Sequence, residues 1–325
     1  MRFSTGLPGL DRYPPSRYAG DTEPWQARLT TPDFQRIART ADELGFDSIS
    51  VSEHIVVPTS LTANMGAHWP HAFTAMAFLA GATTRIRVNS AVIVLPYHHP
   101  VDFAKAVSTL DVLSGGRVTL TFGVGMAPGE FAALGVPFEH RGAVMDEYVA
   151  VMKELWTAES PSFAGEWVRF EDVVFEPKPV QSPHPPLWFG GRSLVSLRRA
   201  AREGDGWAPA GGLLGKGPWL EEPEQLPGML EQVAELRDGR PLDVNYPLMQ
   251  PRIGPNHTVQ PASFQPTSAQ QIVDECGRLA GLGVTHTSVP SLADAPDSLE
   301  GHLEGLHWIA EHVLPAFTER PGVPG

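Results

Sequence analysis

Three short constellations in the chain combine residue types that could do chemistry. Ser52-Glu53-His54 sets a carboxylate beside an imidazole. Histidine titrates near neutral pH and a nearby carboxylate shifts it further, so His54 and Glu53 are the acid–base candidates. The plainer reading is a polar pair in a strand-to-helix turn. Gly190-Gly191-Arg192-Ser193 would present backbone N–H groups at a helix N-terminus together with a cation and a hydroxyl, which is how phosphate is held. Its plainer reading is a tight turn with Ser193 as an N-cap. Gly123-Val124-Gly125 lets a backbone approach a ligand closely, but its spacing is neither that of a dinucleotide fingerprint nor that of a P-loop. His98 and His99 are adjacent, so in an extended segment they point to opposite sides. Nothing else has metal-ligand spacing, and no metal is expected. Trp69, Trp188 and Trp207 could line an aromatic pocket or pack in core and loops.

These residues need elements that bring them to one place. Helical periodicity runs through Phe34, Ile37, Ala38, Ala41 and Leu44, after Thr31-Pro32-Asp33 as a start signal and before Gly45. It recurs over Val144–Leu155, from Ser193 to Gly204, after Ser268 with Gln271 at capping-box spacing, and over Leu299–Val313. Further helical segments are expected near residues 70–84, 100–114 and 221–238. Short apolar runs between them read as buried strands: Phe3–Thr5, Ser48–Val51, Ile86–Val94, Val118–Phe122, Leu187–Phe189, Gly206–Ala208, Leu242–Leu248 and Val284–Val289. About eight strands alternating with about eight helices predict an α/β fold, a (β/α)₈ TIM barrel of one domain over residues 1–325. Two stretches interrupt the alternation. Residues 159–186 read as a β-hairpin insertion before strand 5, built from Trp167–Phe170 and Val173–Phe175, followed by an extended segment. Residues 210–225 read as a long loop after strand 6. Ser52-Glu53-His54, Gly123-Val124-Gly125 and Gly190-Gly191-Arg192-Ser193 each follow a strand, on the rim where barrels carry their chemistry.

Composition narrows the function further. The formal net charge is −13 over 325 residues, which opposes non-specific nucleic-acid binding and fits small-molecule chemistry. Gly and Pro each number 32, in keeping with many short loops. The single cysteine, Cys276, lies at an apolar helical position and reads as core filler rather than a nucleophile. The first residues lack the apolar run of a signal peptide, and no stretch is apolar for long enough to cross a membrane, so a cytoplasmic location is expected.

The chain resembles the bacterial luciferase-like family and, within it, the coenzyme F420-dependent oxidoreductases. The residues that carry the likeness include Ala41-Asp42-Glu43-Leu44-Gly45-Phe46-Asp47-Ser48, Ser52-Glu53-His54 and Val94-Leu95-Pro96-Tyr97-His98-His99-Pro100. They also include Leu110–Arg117, Gly123-Val124-Gly125, Glu130-Phe131, Pro185–Gly191 and Gly204-Asp205-Gly206-Trp207. The resemblance implies a flavin-like ring at the C-terminal rim, His54 near its reactive carbon, and Glu53 orienting His54 or bonding to the ring. It implies a non-prolyl cis peptide at Ala91–Val92, with Ser90, Ala91 and Val92 backing the ring. It also implies that the Gly190–Ser193 turn touches the phosphate-bearing tail, with Trp207 nearby. Met126 and His98 stand where similar sequences often have tryptophan and arginine, and the loop from Thr59 to Pro70 looks short. The expected activity is hydride transfer between coenzyme F420 and a small organic substrate. The alternatives are an FMN-dependent monooxygenase using reduced flavin and oxygen, and a flavin-binding protein without turnover. Family members are often dimers, and a homodimer is compatible with this reading.

Overall fold

Parallel strands buried on both faces need helices outside and a filled interior. The computed structural model describes residues 1–8, 25–209, 220–248, 252–253, 259–260, 264, 266–288 and 298–317. Within them the strands are β1 (Arg2–Gly6), β2 (Ser48–Val51), β3 (Arg87–Ser90), β4 (Val118–Gly123), β5 (Leu187–Gly190), β6 (Gly206–Ala208), β7 (Asp243–Val244) and β8 (His286–Ser288). Each pairs in parallel with its neighbour in sequence from β1 to β7, and β1 also pairs with β8. The ring closes between β7 and β8, where Tyr246 N–H donates to the His286 carbonyl at 3.0 Å and Leu248 N–H to Ser288 at 3.2 Å. This is the expected TIM barrel. Phe122, Phe189, Trp207, Leu120 and Ile49 are among its fully buried side chains.

The outer helices include α1 (Thr31–Leu44), α2 (Ala72–Ala82), α3 (Pro100–Ser114), α4 (Pro128–Leu134), α5 (Arg141–Thr157), α6 (Leu194–Glu203), α7 (Leu226–Glu231), α8 (Ala269–Gly281) and α9 (Leu299–His312). Ser193, Ser268 and Ser298 cap α6, α8 and α9, each hydroxyl accepting from a backbone N–H three residues on. The cap of α1 is Thr30, one residue before the expected start, because the Asp33 carboxylate accepts from Thr30 N–H at 2.8 Å. Cys276 is fully buried on α8, and burial pushes its thiol up to about 12.

Several expectations need correction. The third strand is not continuous from Ile86 to Val94: β3 stops at Ser90, a cis peptide joins Ala91 to Val92, and Ile93–Val94 resumes pairing with β4. The helix expected over 221–238 is broken into a 3₁₀ turn (Pro223–Gln225), α7 and a second 3₁₀ turn (Ala234–Arg237). Pro223 and Pro227 each lack the N–H that a continuous helix would need. The hairpin pairs Phe163–Ala164 with Arg169–Phe170 and not with Val173–Phe175. Its turn is held by Glu147 on α5, whose carboxylate accepts from the N–H groups of Glu166, Trp167 and Val168. Phe175 instead packs under the Lys105 ammonium on α3. Residues 210–219 of the expected loop after strand 6 lie outside the described residues.

Candidate functional site at the C-terminal rim

Strand β2 ends at Val51, and the next three residues turn over the rim. Glu53 and His54 are neighbours in the chain but take different partners. The Glu53 side chain is wholly buried, and its Oε2 accepts from Val94 N–H at 3.1 Å and lies 2.9 Å from His98 Nε2. Its Oε1 is buried and has no hydrogen-bond partner among the described residues. Of the two roles expected of Glu53, orienting His54 is excluded by these contacts, and a bond to the ring remains the expectation.

Glu130 on α4 takes that place. Its Oε2 lies 3.0 Å from His54 Nδ1 and accepts from the Tyr97 hydroxyl at 2.9 Å. Its Oε1 accepts from the N–H groups of Ile55 and Val56, at 2.6 and 3.2 Å. Burial alone would raise this carboxyl. The hydrogen bond and charge of His54, with the bonds from Ile55 and Tyr97, overcome burial and hold it below the usual carboxylate range. An ionised Glu130 favours a proton on His54 Nδ1 and so fixes the orientation of the ring. Burial and the Glu130 charge push the Tyr97 phenol far upward, so it stays a donor. The Trp69 ring meets His54 edge-on at 4.8 Å. Behind the pair, His98 stacks on Phe103 with centroids 5.0 Å apart.

Gly125 explains how α4 reaches β2. Its φ is +78°, and a Cβ there would come within 2.6 Å of the Phe131 ring and 2.7 Å of Val94. Only glycine fits so sharp a reversal against α4, and the reversal returns Glu130 to His54.

The remaining candidates fall into two groups. Ser90 is fully buried, and its hydroxyl exchanges hydrogen bonds with the backbone of Thr121, so it ties β3 to β4. Ala91 is exposed and Val92 half-buried. Gly123 and Gly190 both lie against Val92. In the Gly190–Ser193 turn, Gly191 has φ +111°, and its N–H donates to the Ala208 carbonyl at 3.1 Å. The Gly191 carbonyl accepts from Ser196 Oγ at 2.5 Å and from Trp207 Nε1 at 2.8 Å. Trp207 is thus a fully buried brace for the turn. Arg192 is buried too, with Nη2 donating to the Glu221 carbonyl at 2.6 Å. Ser193 caps Ser196 N–H at 3.2 Å. In the first turn of α6 the backbone N–H groups of Leu194 and Val195 precede those bonded by Ser193, and they are the donors there suited to an anion.

Sequence reasoning missed Glu130 as a functional residue, although Glu130-Phe131 carried part of the resemblance. A cavity of about 120 Å³ lies at the opposite end of the barrel, where Asp47, Arg87, Trp188 and His286 line it near the strand starts. No candidate rim residue borders it. Trp188 therefore belongs to the far end of the barrel, away from the rim.

A family profile described as luciferase-like monooxygenase matches residues 16–225. An uncharacterised protein of Mycobacterium tuberculosis is 30% identical over 292 residues, 86% of this chain and 93% of its own length. An FMNH2-dependent dimethylsulfone monooxygenase of Pseudomonas putida is 34% identical over 178 residues, 53% of this chain and 47% of that protein. An F420-dependent glucose-6-phosphate dehydrogenase of Amycolatopsis mediterranei is 30% identical over 203 residues, 61% and 58% of the two chains. The crystal structure of the monooxygenase RslO1 from Streptomyces bottropensis superposes with a TM-score of 0.74 at 21% identity, covering 98% of this chain and all of that one, and so shares the fold. No helix among the described residues is long and apolar enough to cross a membrane.

Proposed function

Because the chain belongs to the luciferase-like monooxygenase family, we propose that it is a cytoplasmic oxidoreductase, one barrel domain over residues 1–325, that moves a hydride between coenzyme F420 and a small organic substrate. The observation that carries this reading is the His54–Glu130 pair: an imidazole at the barrel rim, oriented by a buried carboxylate held ionised. Hydride removal from a substrate carbon leaves a proton to be taken from the adjoining heteroatom, and the reverse reaction needs that proton returned. His54 performs this transfer while Glu130 orients the imidazole through Nδ1.

The rim fits an isoalloxazine-like group. The buried, unpartnered Glu53 Oε1 suits a ring N–H, and the first-turn N–H groups of α6 suit a phosphate. Bound F420 would supply a carbon centre for two-electron transfer in place of the ring nitrogen that helps activate oxygen. Glu53, Val92 and the start of α6 would hold it.

The FMN reading shares every one of these residues, and the partial match to an FMNH2-dependent relative keeps it as the rival. Anaerobic titration with F420 and with FMN, followed by turnover with candidate alcohols and a parallel oxygen-consumption assay with reduced FMN, separates the two. F420 binding and reduction without oxygen uptake is the expected result. Oxygen-consuming turnover with reduced FMN, and no binding of F420, overturns the proposal.

A further inference from the structure

The four glycines among the rim candidates are glycine for two different reasons. Gly125 and Gly191 have positive φ, a conformation other residues rarely adopt. Gly123 and Gly190 do not, so backbone conformation does not require glycine at either. What requires it is chiefly one side chain, with the Phe122 carbonyl, 3.3 Å from a Cβ at 190, adding a lesser contact there. A Cβ at position 123 would stand 2.6 Å from Val92 Cγ2, and a Cβ at 190 would stand 2.8 Å from Val92 Cγ1. Real Cβ atoms do not approach so closely, so each glycine accommodates one of the two Val92 methyl groups. The symmetry follows from the sheet. Phe122 pairs with Phe189 in the β4–β5 ladder, so Gly123 and Gly190 lie side by side at the ends of adjacent strands. Ile93 and Val94 pair with Phe122 and Gly123, which holds the Val92 backbone over the same spot.

We infer that Gly123 and Gly190 are positioning residues that act on the rim site through Val92: together they form a two-sided seat that sets how deep the Val92 isopropyl group lies in the floor of the mouth. The inference deepens the rim-site reading and rests on it, since it takes a ring to lie over this floor. It also departs from the simplest use of such glycines, which is to let backbone touch the ligand directly. A methyl group at either position forces Val92 up into the ligand space. Removing the Val92 methyls should then cancel the damage at 123 and most of it at 190.

The test is a double-mutant cycle with Gly190→Ala, Gly123→Ala, Val92→Ala and the two doubles that contain Val92→Ala. Binding of F420 and of FMN is measured by fluorescence titration, and melting temperature is measured for each variant without cofactor. The glycine variants should lose roughly tenfold or more in affinity, as expected of overpacking against a well-packed neighbour. In the Val92→Ala background the same substitutions should have little further effect, in affinity and in melting temperature alike. Equal losses of affinity with and without the Val92 methyls would show that the glycines meet the ligand themselves, and would overturn the inference. Wild-type affinity in every variant would overturn it too, because Val92 would then not form the floor. If the wild type binds neither cofactor, the rim-site reading fails, and the melting-temperature cycle still decides whether the seat exists: additive effects there refute it. Should Gly123→Ala not fold alone, its double with Val92→Ala and the Gly190 arm carry the same comparison.

Discussion

Glu130 and His54 are 76 positions apart in the chain and 3.0 Å apart in space. The contact joins the end of one barrel strand to the helix that follows the second strand after it. It also makes the imidazole part of a network in which the carboxylate is committed on both oxygens.

Replacing the imidazole tests the acid–base role directly. His54→Asn should fold and bind cofactor much as the wild type does, with turnover lower by about 10²–10⁴-fold. Steady-state rates across a pH series measure this, and a variant as fast as the wild type at every pH would remove the role.

Neutralising the carboxylate should act through His54. Glu130→Gln loses a charge-assisted bond of about 1.5–3 kcal/mol, so kcat should fall roughly ten- to hundredfold. KM should change little if Glu130 does not touch substrate. An unchanged kcat together with a raised KM would place Glu130 in binding instead.

The same carboxyl makes a stability prediction. Its folded pKa lies below its unfolded value, so its stabilisation is complete above the unfolded value, near 4.3, and is lost as pH falls through the folded one. Chemical denaturation of wild type and Glu130→Gln at neutral pH and in stronger acid should show the wild type losing more stability on acidification. Parallel losses in both proteins would refute the assignment.

The turn after β5 should prove sensitive in two separable ways. Gly191→Val places a branched side chain at φ +111°, so the melting temperature should drop. If the first turn of α6 also holds an anion, cofactor affinity of the folded fraction should fall by roughly tenfold or more. Arg192→Ala should destabilise by about 1–3 kcal/mol, because it strips a buried donor from the Glu221 carbonyl. Binding titrations beside thermal melts distinguish loss of the anion site from loss of the turn.

Cys276 should be inert. A thiol raised to about 12 in a buried helix face has almost no thiolate at neutral pH. A thiol-reactive dye should label it only after denaturant is added, and fast labelling of the native protein would contradict its placement.

The barrel was legible because its evidence is local. Serine caps at Ser193 and Ser268 and the 3.6-residue apolar period of α1 each act within a few residues. His54 was legible because a histidine at a strand end sits on the rim whatever else surrounds it. The identity of its partner was not. Glu53 is the adjacent carboxylate, and only the reversal at Gly125 shows that Glu130 arrives from elsewhere while Glu53 turns to His98. The hairpin was misplaced for a similar reason. Val173-Val174-Phe175 has good strand propensity, but three N–H bonds to Glu147 on another element fix the turn earlier. At Gly123 and Gly190 the residue type was informative and its beneficiary was not, since Val92 is far from both in sequence.

The Gly191-Arg192 dipeptide grips both stems of the excursion that leaves β6. Gly191 N–H holds the Ala208 carbonyl at the outgoing stem, and the Arg192 carbonyl holds Leu220 N–H at the returning one. The two ends of that segment are thus pinned next to each other by the turn, independently of what lies between them. The start of α6 is thereby tied to both Ala208 and Leu220, so a substitution that disturbs the turn after β5 is felt at two places far apart in the chain at once.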